Sequence, residues 1–139
     1  RSSRSSDDVS VAFYVYMSTT MTNIGGHHTL VFDAVKLNIG NGYHPISGTF
    51  IVPIRGVYVF SLSVRVIDGS YHSLELVRNG YVVGAVYASA GNPASSTSAT
   101  TIQVEEGDEL FVRTKMDYNN GTIYSNEYGY TSFAGWKLN

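Results

Sequence analysis

The sequence predicts an all-β domain built as a two-sheet sandwich or jelly roll, and three observations lead there. Apolar side chains alternate with a period of two through one run after another. Turn signals rich in glycine and asparagine interrupt these runs at short intervals. No stretch concentrates the alanine, leucine, glutamate and lysine that helices favour. Composition points the same way: only 14% of the 139 residues are charged, against roughly 25% in an average domain, and 11 tyrosines and 14 glycines suit strands and turns.

In chain order, the first strand is read from Val11, Phe13, Val15 and Met17. The clearest one follows Gly56. Tyr58, Phe60, Leu62, Val64 and Val66 fall on one face, and Val57, Val59, Ser61, Ser63 and Arg65 on the other. Leu74 and Leu76 open a third run. Asn79-Gly80 supplies the positive φ angles of a tight two-residue hairpin, so residues 74–78 and 81–87 read as paired strands. Alternation returns at Ile102/Val104 and Leu110/Val112. Further turns are marked at Ile24-Gly25-Gly26, Gly40-Asn41-Gly42, Asp68-Gly69, Gly91-Asn92-Pro93, Glu106-Gly107-Asp108 and Asn119-Asn120-Gly121. About ten short strands result. Residues 88–97 and 116–131 read as long loops, the usual place for function on a β scaffold. Residues 1–8 form a polar, flexible N-terminal segment, and 9–139 one domain without internal repeats or a Gly-X-Y run.

Several functions are disfavoured. A net charge of −2 with nine scattered basic residues offers no surface for nucleic acid. No apolar run approaches the ~20 residues that cross a bilayer, so membrane insertion is not expected, and no signal peptide is visible. The chain has no cysteine for disulfide or thiol chemistry. Its four histidines, His27, His28, His44 and His72, lack metal-ligand spacing and read as polar loop residues. Glu105, Glu106, Asp108 and Glu109 flank Gly107 in a turn, rather than facing each other across a sugar as glycosidase carboxylates must. No nucleophile elbow or triad is present, and no catalytic residue is assigned.

Phe32, Asn38, Tyr43, Phe50, Gly56, Tyr58 and Phe60 stand at the spacing of a family signature, and through them the chain resembles the complement C1q globular head. Leu62 occupies a slot that is usually aromatic and keeps it apolar. Val11-Ala12-Phe13, Leu76-Val77-Arg78-Asn79-Gly80, Glu106-Gly107-Asp108 and Ser132-Phe133-Ala134-Gly135-Trp136 agree in order, so the resemblance covers roughly residues 9–138. It implies a ten-stranded jelly-roll β-sandwich, tumour necrosis factor-like and homotrimeric, secreted and without enzyme activity. Many invertebrate members are lectin-like pattern-recognition proteins of innate immunity that bind microbial or sialylated glycans. Stalkless single heads of the mollusc type are the nearest comparison. Some members hold calcium through a carboxylate following the strand that here ends near Tyr87. This chain has Ala88-Ser89-Ala90-Gly91 there, with Asn92 the nearest oxygen side chain. A hard cation wants several oxygens and at least one charge, so no cofactor is expected and calcium is not supported at that position.

The sharpest functional signal is the Tyr/Asn-rich segment. Tyr118, Asn119, Asn120, Tyr124, Asn126, Tyr128 and Tyr130 combine aromatic faces for sugar C–H patches with amides for sugar hydroxyls. The alternative is that the tyrosines are half-buried strand or interface residues. Arg65, Arg78, Arg113 and Lys115 are available to an acidic sugar, and Asn120-Gly121-Thr122 is a glycosylation sequon. Tyr14, Tyr16, Val57 and Val59 leave an outer sheet face apolar, and a three-fold interface would cover it. Three weak sites on one trimer gain about 10²–10⁴ in avidity on a repetitive surface. The expected function is therefore a homotrimer that recognises glycans on microbial or cell surfaces. The alternatives are a trimeric ligand or adhesive head for a protein receptor, or a head that only trimerises a longer chain.

Overall fold

The computed structural model describes residues 9–90 and 94–139, and these fold into strands only. In chain order they are β1 (Ala12–Tyr16), β2 (Thr29–Leu30), β3 (Ala34–Ile39), β4 (Tyr43–His44), β5 (Thr49–Ile51), β6 (Gly56–Arg65), β7 (Tyr71–Arg78), β8 (Tyr81–Ser89), β9 (Ser95–Val104), β10 (Glu109–Thr114) and β11 (Ser132–Leu138). One sheet runs β3-β1-β11-β6-β9 and the other β4-β5-β10-β7-β8, with two-residue β2 added to β10. Every pairing is antiparallel. The all-β sandwich is as the alternation predicts. The described strands number eleven where about ten are expected, because β2 is too short to leave a periodic trace.

The β6 alternation is realised: Tyr58, Phe60, Leu62, Val64 and Val66 are buried, while Val57, Val59, Ser61, Ser63 and Arg65 face outward. Leu62 fills its apolar slot. The expected hairpin joins β7 to β8, with positive φ at Asn79 (48°) and Gly80 (88°). One expectation needs correction. Residues 88–97 are not a continuous loop, since β8 reaches Ser89 and β9 begins at Ser95 and pairs with β6 along its whole length, Arg65 to Ser95 through Gly56 to Val104. The N-terminal half of β9, Ser-Ser-Thr-Ser-Ala, carries no large apolar side chain. It is an edge strand held by its backbone ladder, and a hydrophobic period cannot reveal it. The predicted 1–8 segment and the Gly91-Asn92-Pro93 turn lie outside the described residues.

Rings fill the space between the sheets. Phe13 stacks on Phe50 at 4.5 Å and meets Phe133 edge-on at 4.8 Å, while Tyr58 stacks on Phe60 at 5.8 Å. Register places Phe13, Gly135 and Phe60 in one cross-strand row. A Cβ on Gly135 would stand 2.6 Å from Phe13 and 2.8 Å from Phe60, so only glycine lets both rings close over β11.

Tyr43 ties this core to the backbone. Its buried hydroxyl donates to the Phe32 carbonyl (2.8 Å) and accepts the Phe32 N–H (3.0 Å). Asn38 brackets the Tyr43 backbone, donating to its carbonyl (3.0 Å) and accepting its N–H (3.1 Å). Burial pushes the Tyr43 hydroxyl up to about 12, so it remains a donor at physiological pH. In the turn before β10 the Asp108 carboxylate accepts from the Glu105 N–H (2.9 Å), Asn79 Nδ2 (2.9 Å) and Arg78 Nη2 (2.7 Å). Desolvation raises the Asp108 carboxyl, but these donors outweigh it and hold the group below its ordinary 3.8. The turn carboxylate is thus a structural clamp.

Tyr43→Phe leaves both polar groups of Phe32 buried without partners, and denaturant unfolding should show a loss of about 2–4 kcal/mol. Asp108 titrates lower folded than unfolded. Its contribution is complete above the ordinary carboxylate value and lost as pH falls through the depressed one. Asp108→Asn should therefore cost about 1–2 kcal/mol at neutral pH and flatten the acid limb of a stability profile measured below pH ~4.

Candidate functional site

The predicted loop, residues 116–131, closes one end of the sandwich and is pinned along its length. Ile123 is fully buried and bridges Met21 through a reciprocal pair of 2.9 Å hydrogen bonds. Asn120 pairs by backbone with Tyr71 (2.8 and 3.0 Å), and the Tyr124 N–H reaches the Arg65 carbonyl at 2.7 Å. Buried Ser125 Oγ donates to the Met17 carbonyl (2.6 Å) and accepts the Thr131 N–H (3.1 Å). Thr131 Oγ1 donates to the Tyr124 carbonyl (2.8 Å). A segment without regular structure is thereby fixed by isolated backbone bridges together with side chain-to-backbone bonds.

These anchors divide the predicted residues into two groups. In the first half, Asn119 spends its amide on the Lys115 (2.6 Å) and Asp117 (3.1 Å) carbonyls, and its Oδ1 lies 3.2 Å from His72 Nδ1. His72 Nε2 faces the Gly121 carbonyl at 3.1 Å. Here the reading of the histidines as polar loop residues fails for two of them: exposed His44 ends β4, and His72 lies in β7, completely buried, and positions the loop. Strand alternation with Leu74 was the signal that could have found it. Asn120 donates to the Gly69 carbonyl (2.9 Å), and Tyr118 is exposed, with Lys115 Nζ 5.9 Å from its ring centre.

In the second half, Tyr124 lies under the Arg65 guanidinium at 4.6 Å, and Asn126 Oδ1 accepts from Arg65 Nη1 at 2.8 Å. Tyr128 is 83% exposed. Tyr130 stacks on Tyr16 at 3.7 Å, and its hydrogen bond with Tyr16 pushes its hydroxyl up. Tyr124 and Asn126 thus converge on one cation, and Tyr130 joins the β1 face. Tyr118 and Tyr128 offer open rings, whereas the amides of Asn119 and Asn120 are directed into the fold.

Two cavities border this end. One of about 440 Å³ is lined by Arg65, Ile67, Asp68, Ala90, Ala94 and Tyr124. The other, about 280 Å³, lies on the outer face of the β7–β8 sheet between Ser73, Glu75, Tyr87 and Lys115. Sequence reasoning missed Tyr87 and Ser73 here, because hairpin residues read as scaffold. The other basic candidates are engaged: Arg113 Nε meets Glu75 at 3.1 Å, Arg78 meets Asp108 at 2.7 Å, and Lys115 meets Asp117 at 3.6 Å.

A sandwich of this topology, with the Phe32–Phe60 aromatic frame in its core, matches the C1q domain model over residues 12–138. The chain belongs to the C1q domain family. Complement C1q tumor necrosis factor-related protein 3 of Mus musculus is 27% identical over 134 residues, which are 94% of this chain and 52% of that protein. The collagen alpha-1(X) chain of Mus musculus is 30% identical across 90% of this chain and 18% of its own length. The chain thus spans about half the length, or less, of these curated relatives. Among solved structures, the globular domain of zebrafish complement 1qA protein superposes with a TM-score of 0.68 at 15% identity, covering 93% of this chain and 98% of the other. Murine APRIL reaches 0.71 at 18% identity, covering 93% and 99%. The jelly-roll fold is thereby established.

C1q-type calcium does not fit this chain's described residues. At the end of β8, Ala88 is buried and Ser89 and Ala90 carry no carboxylate, so no charged oxygen set forms. Asn92 lies outside the described residues.

His72→Phe keeps a ring in the core but leaves the Asn119 side chain and the Gly121 carbonyl without their partner. Hydrogen exchange should accelerate selectively over residues 116–123, with a stability loss of about 1–3 kcal/mol.

Proposed function

We propose that this C1q domain is the head of a secreted homotrimeric recognition protein that binds glycans on microbial or cell surfaces through the loop end of its sandwich, as in innate pattern recognition. Supporting assembly is the outer face of the β3-β1-β11-β6-β9 sheet. Register sets Ile39, Ala12, Trp136 and Val59 in one row and Leu138 beside Val57 in the next. Tyr14 (39%), Trp136 (42%) and Leu138 (44%) are exposed there, which makes a contiguous apolar patch of the kind that protein interfaces cover. A closed three-fold ring would place every copy in the same orientation and point three loop ends one way.

The observation that carries the glycan reading is the pairing of open aromatic rings with a cavity on one rigid end. Tyr118 and Tyr128 project from a loop whose backbone is pinned, and Tyr124 borders the larger cavity. Aromatic faces held in fixed positions bind sugar C–H surfaces at low entropic cost. The head works by binding, and no step of covalent chemistry is assigned to it.

On an array of polyvalent glycans the protein should bind saturably and be displaced by free sugar. Trp136→Glu should sediment as a monomer and lose about 10²–10⁴ in apparent affinity for the array while keeping its weak monovalent affinity. Flat responses across the array, with capture by a proteinaceous partner that free sugar does not displace, would replace this reading with that of a receptor ligand.

A further inference from the structure

Within this sequence only Asn120, of nine asparagines, is followed two places on by a hydroxyl side chain with a residue other than proline between: Asn120-Gly121-Thr122. The fold explains the middle residue. Gly121 has a φ of +79°, and a Cβ there would stand 2.4 Å from Ser70 Oγ. It does not explain the third. Thr114 and Thr131, which flank the loop, each donate their hydroxyl to a backbone carbonyl, Gly25 at 2.6 Å and Tyr124 at 2.8 Å. Thr122 uses its backbone N–H, on Ser70 Oγ at 2.9 Å, and its hydroxyl has no hydrogen-bond partner among the described residues.

Asn120 itself is placed to carry a substituent. It is exposed, and its backbone is fixed on Tyr71 by a reciprocal pair of hydrogen bonds (2.8 and 3.0 Å). An asparagine amide has two hydrogens. Asn119 spends its amide on two carbonyls and turns its oxygen to buried His72, so it has no hydrogen to give up. Asn120 turns one hydrogen inward, to the Gly69 carbonyl at 2.9 Å, and the other has no partner among the described residues. Exchange of that second hydrogen for a carbon leaves a secondary amide that still donates to Gly69. There is room beside it, since Gly69 is exposed and a Cβ built on it meets no atom within 4 Å. A bulky polar group here breaks no bond of the fold and keeps the loop end hydrated. We propose that Asn120 is an N-glycosylation site. Asn120 Nδ2 bonds to the anomeric carbon of an oligosaccharide, the bond from that carbon to a lipid pyrophosphate breaks, and Nδ2 releases one proton. The lipid-linked donor belongs to the secretory pathway, so the proposal rests on the secreted placement proposed above. It is independent of what the head binds.

The test expresses the full chain in a eukaryotic cell, once from its own full-length reading frame and once behind an added signal peptide, with recovery from medium and lysate. Peptide N-glycosidase in heavy-oxygen water converts a glycosylated Asn120 to a mass-marked aspartate, which peptide mass spectrometry reads. Most chains behind the added signal should carry the mark and gain gel mobility on enzyme treatment. Thr122→Ser should keep the modification. Asn120→Gln and Thr122→Ala should abolish it, the second with the Asn120–Gly69 bond intact. Unmarked chains behind the added signal, or a glycan that survives both substitutions, overturn the site and leave the secreted reading standing. Marked chains there, while the chain from its own reading frame stays in the cytosol, support the acceptor site and overturn the secreted reading.

Discussion

The fold turns on one phenol. Between β3 in one sheet and β4 in the other, the chain passes from sheet to sheet in the three residues 40–42. On either side of β3, Phe32 in the link from β2 and Tyr43 just past the crossing are buried, and a buried backbone group costs free energy unless it is paired. Tyr43 answers both groups of Phe32 with one hydroxyl, and Asn38 answers both groups of Tyr43 with one amide. The two residues make a closed hydrogen-bonding set on which the rings can stack. Phe13, in contact with Tyr43, Phe50, Phe60 and Phe133, is at the centre of that stack. The spacing from Phe32 to Phe60 is therefore a record of this crossing and says little about what the head binds.

From this frame β6 carries position outward. Its inner face is core, and its outer face changes character along its length, from Val57 and Val59 through Ser61 and Ser63 to Arg65. The apolar end lies beside Trp136 and Leu138, and the polar end reaches the loop of Tyr124 and Asn126. One strand thus presents an apolar surface at one end and a guanidinium held by the loop at the other. Both inherit the rigidity of a ten-residue ladder to β9.

How much of this was legible follows from what each element uses to hold itself. Strands β1, β6 and β10 bury alternate large side chains, and a period of two exposes them at once. The β7–β8 hairpin announces itself through Asn79-Gly80, because the backbone there needs positive φ. The Ser/Thr-rich start of β9 reads as loop in the sequence because its stability resides in backbone bonds to β6, which leave no mark on side-chain hydrophobicity. At the candidate site the residue types are legible and their direction is not. Tyrosine and asparagine mark the loop in the sequence, yet whether an amide faces solvent or a neighbouring carbonyl depends on contacts 47 and 51 residues away, at His72 and Gly69. Arg65 read as one basic strand residue among four, since only tertiary structure shows that the other three are already paired.

The inward amides bear on recognition in their own way. A loop that bound sugars with free asparagines would have to order itself on each encounter, and that ordering opposes binding. Here Asn119, Asn120 and Asn126 spend their hydrogen bonds on holding the loop, so the tyrosine rings and the Arg65 fork stand in place before any ligand arrives. In the proposed glycan reading a single site of this kind is weak. Strength then comes from repetition, and the apolar face of the β3-β1-β11-β6-β9 sheet is where repetition would be built. Preorganisation within one head and multiplicity among heads are complementary solutions to the same shortage of contact area.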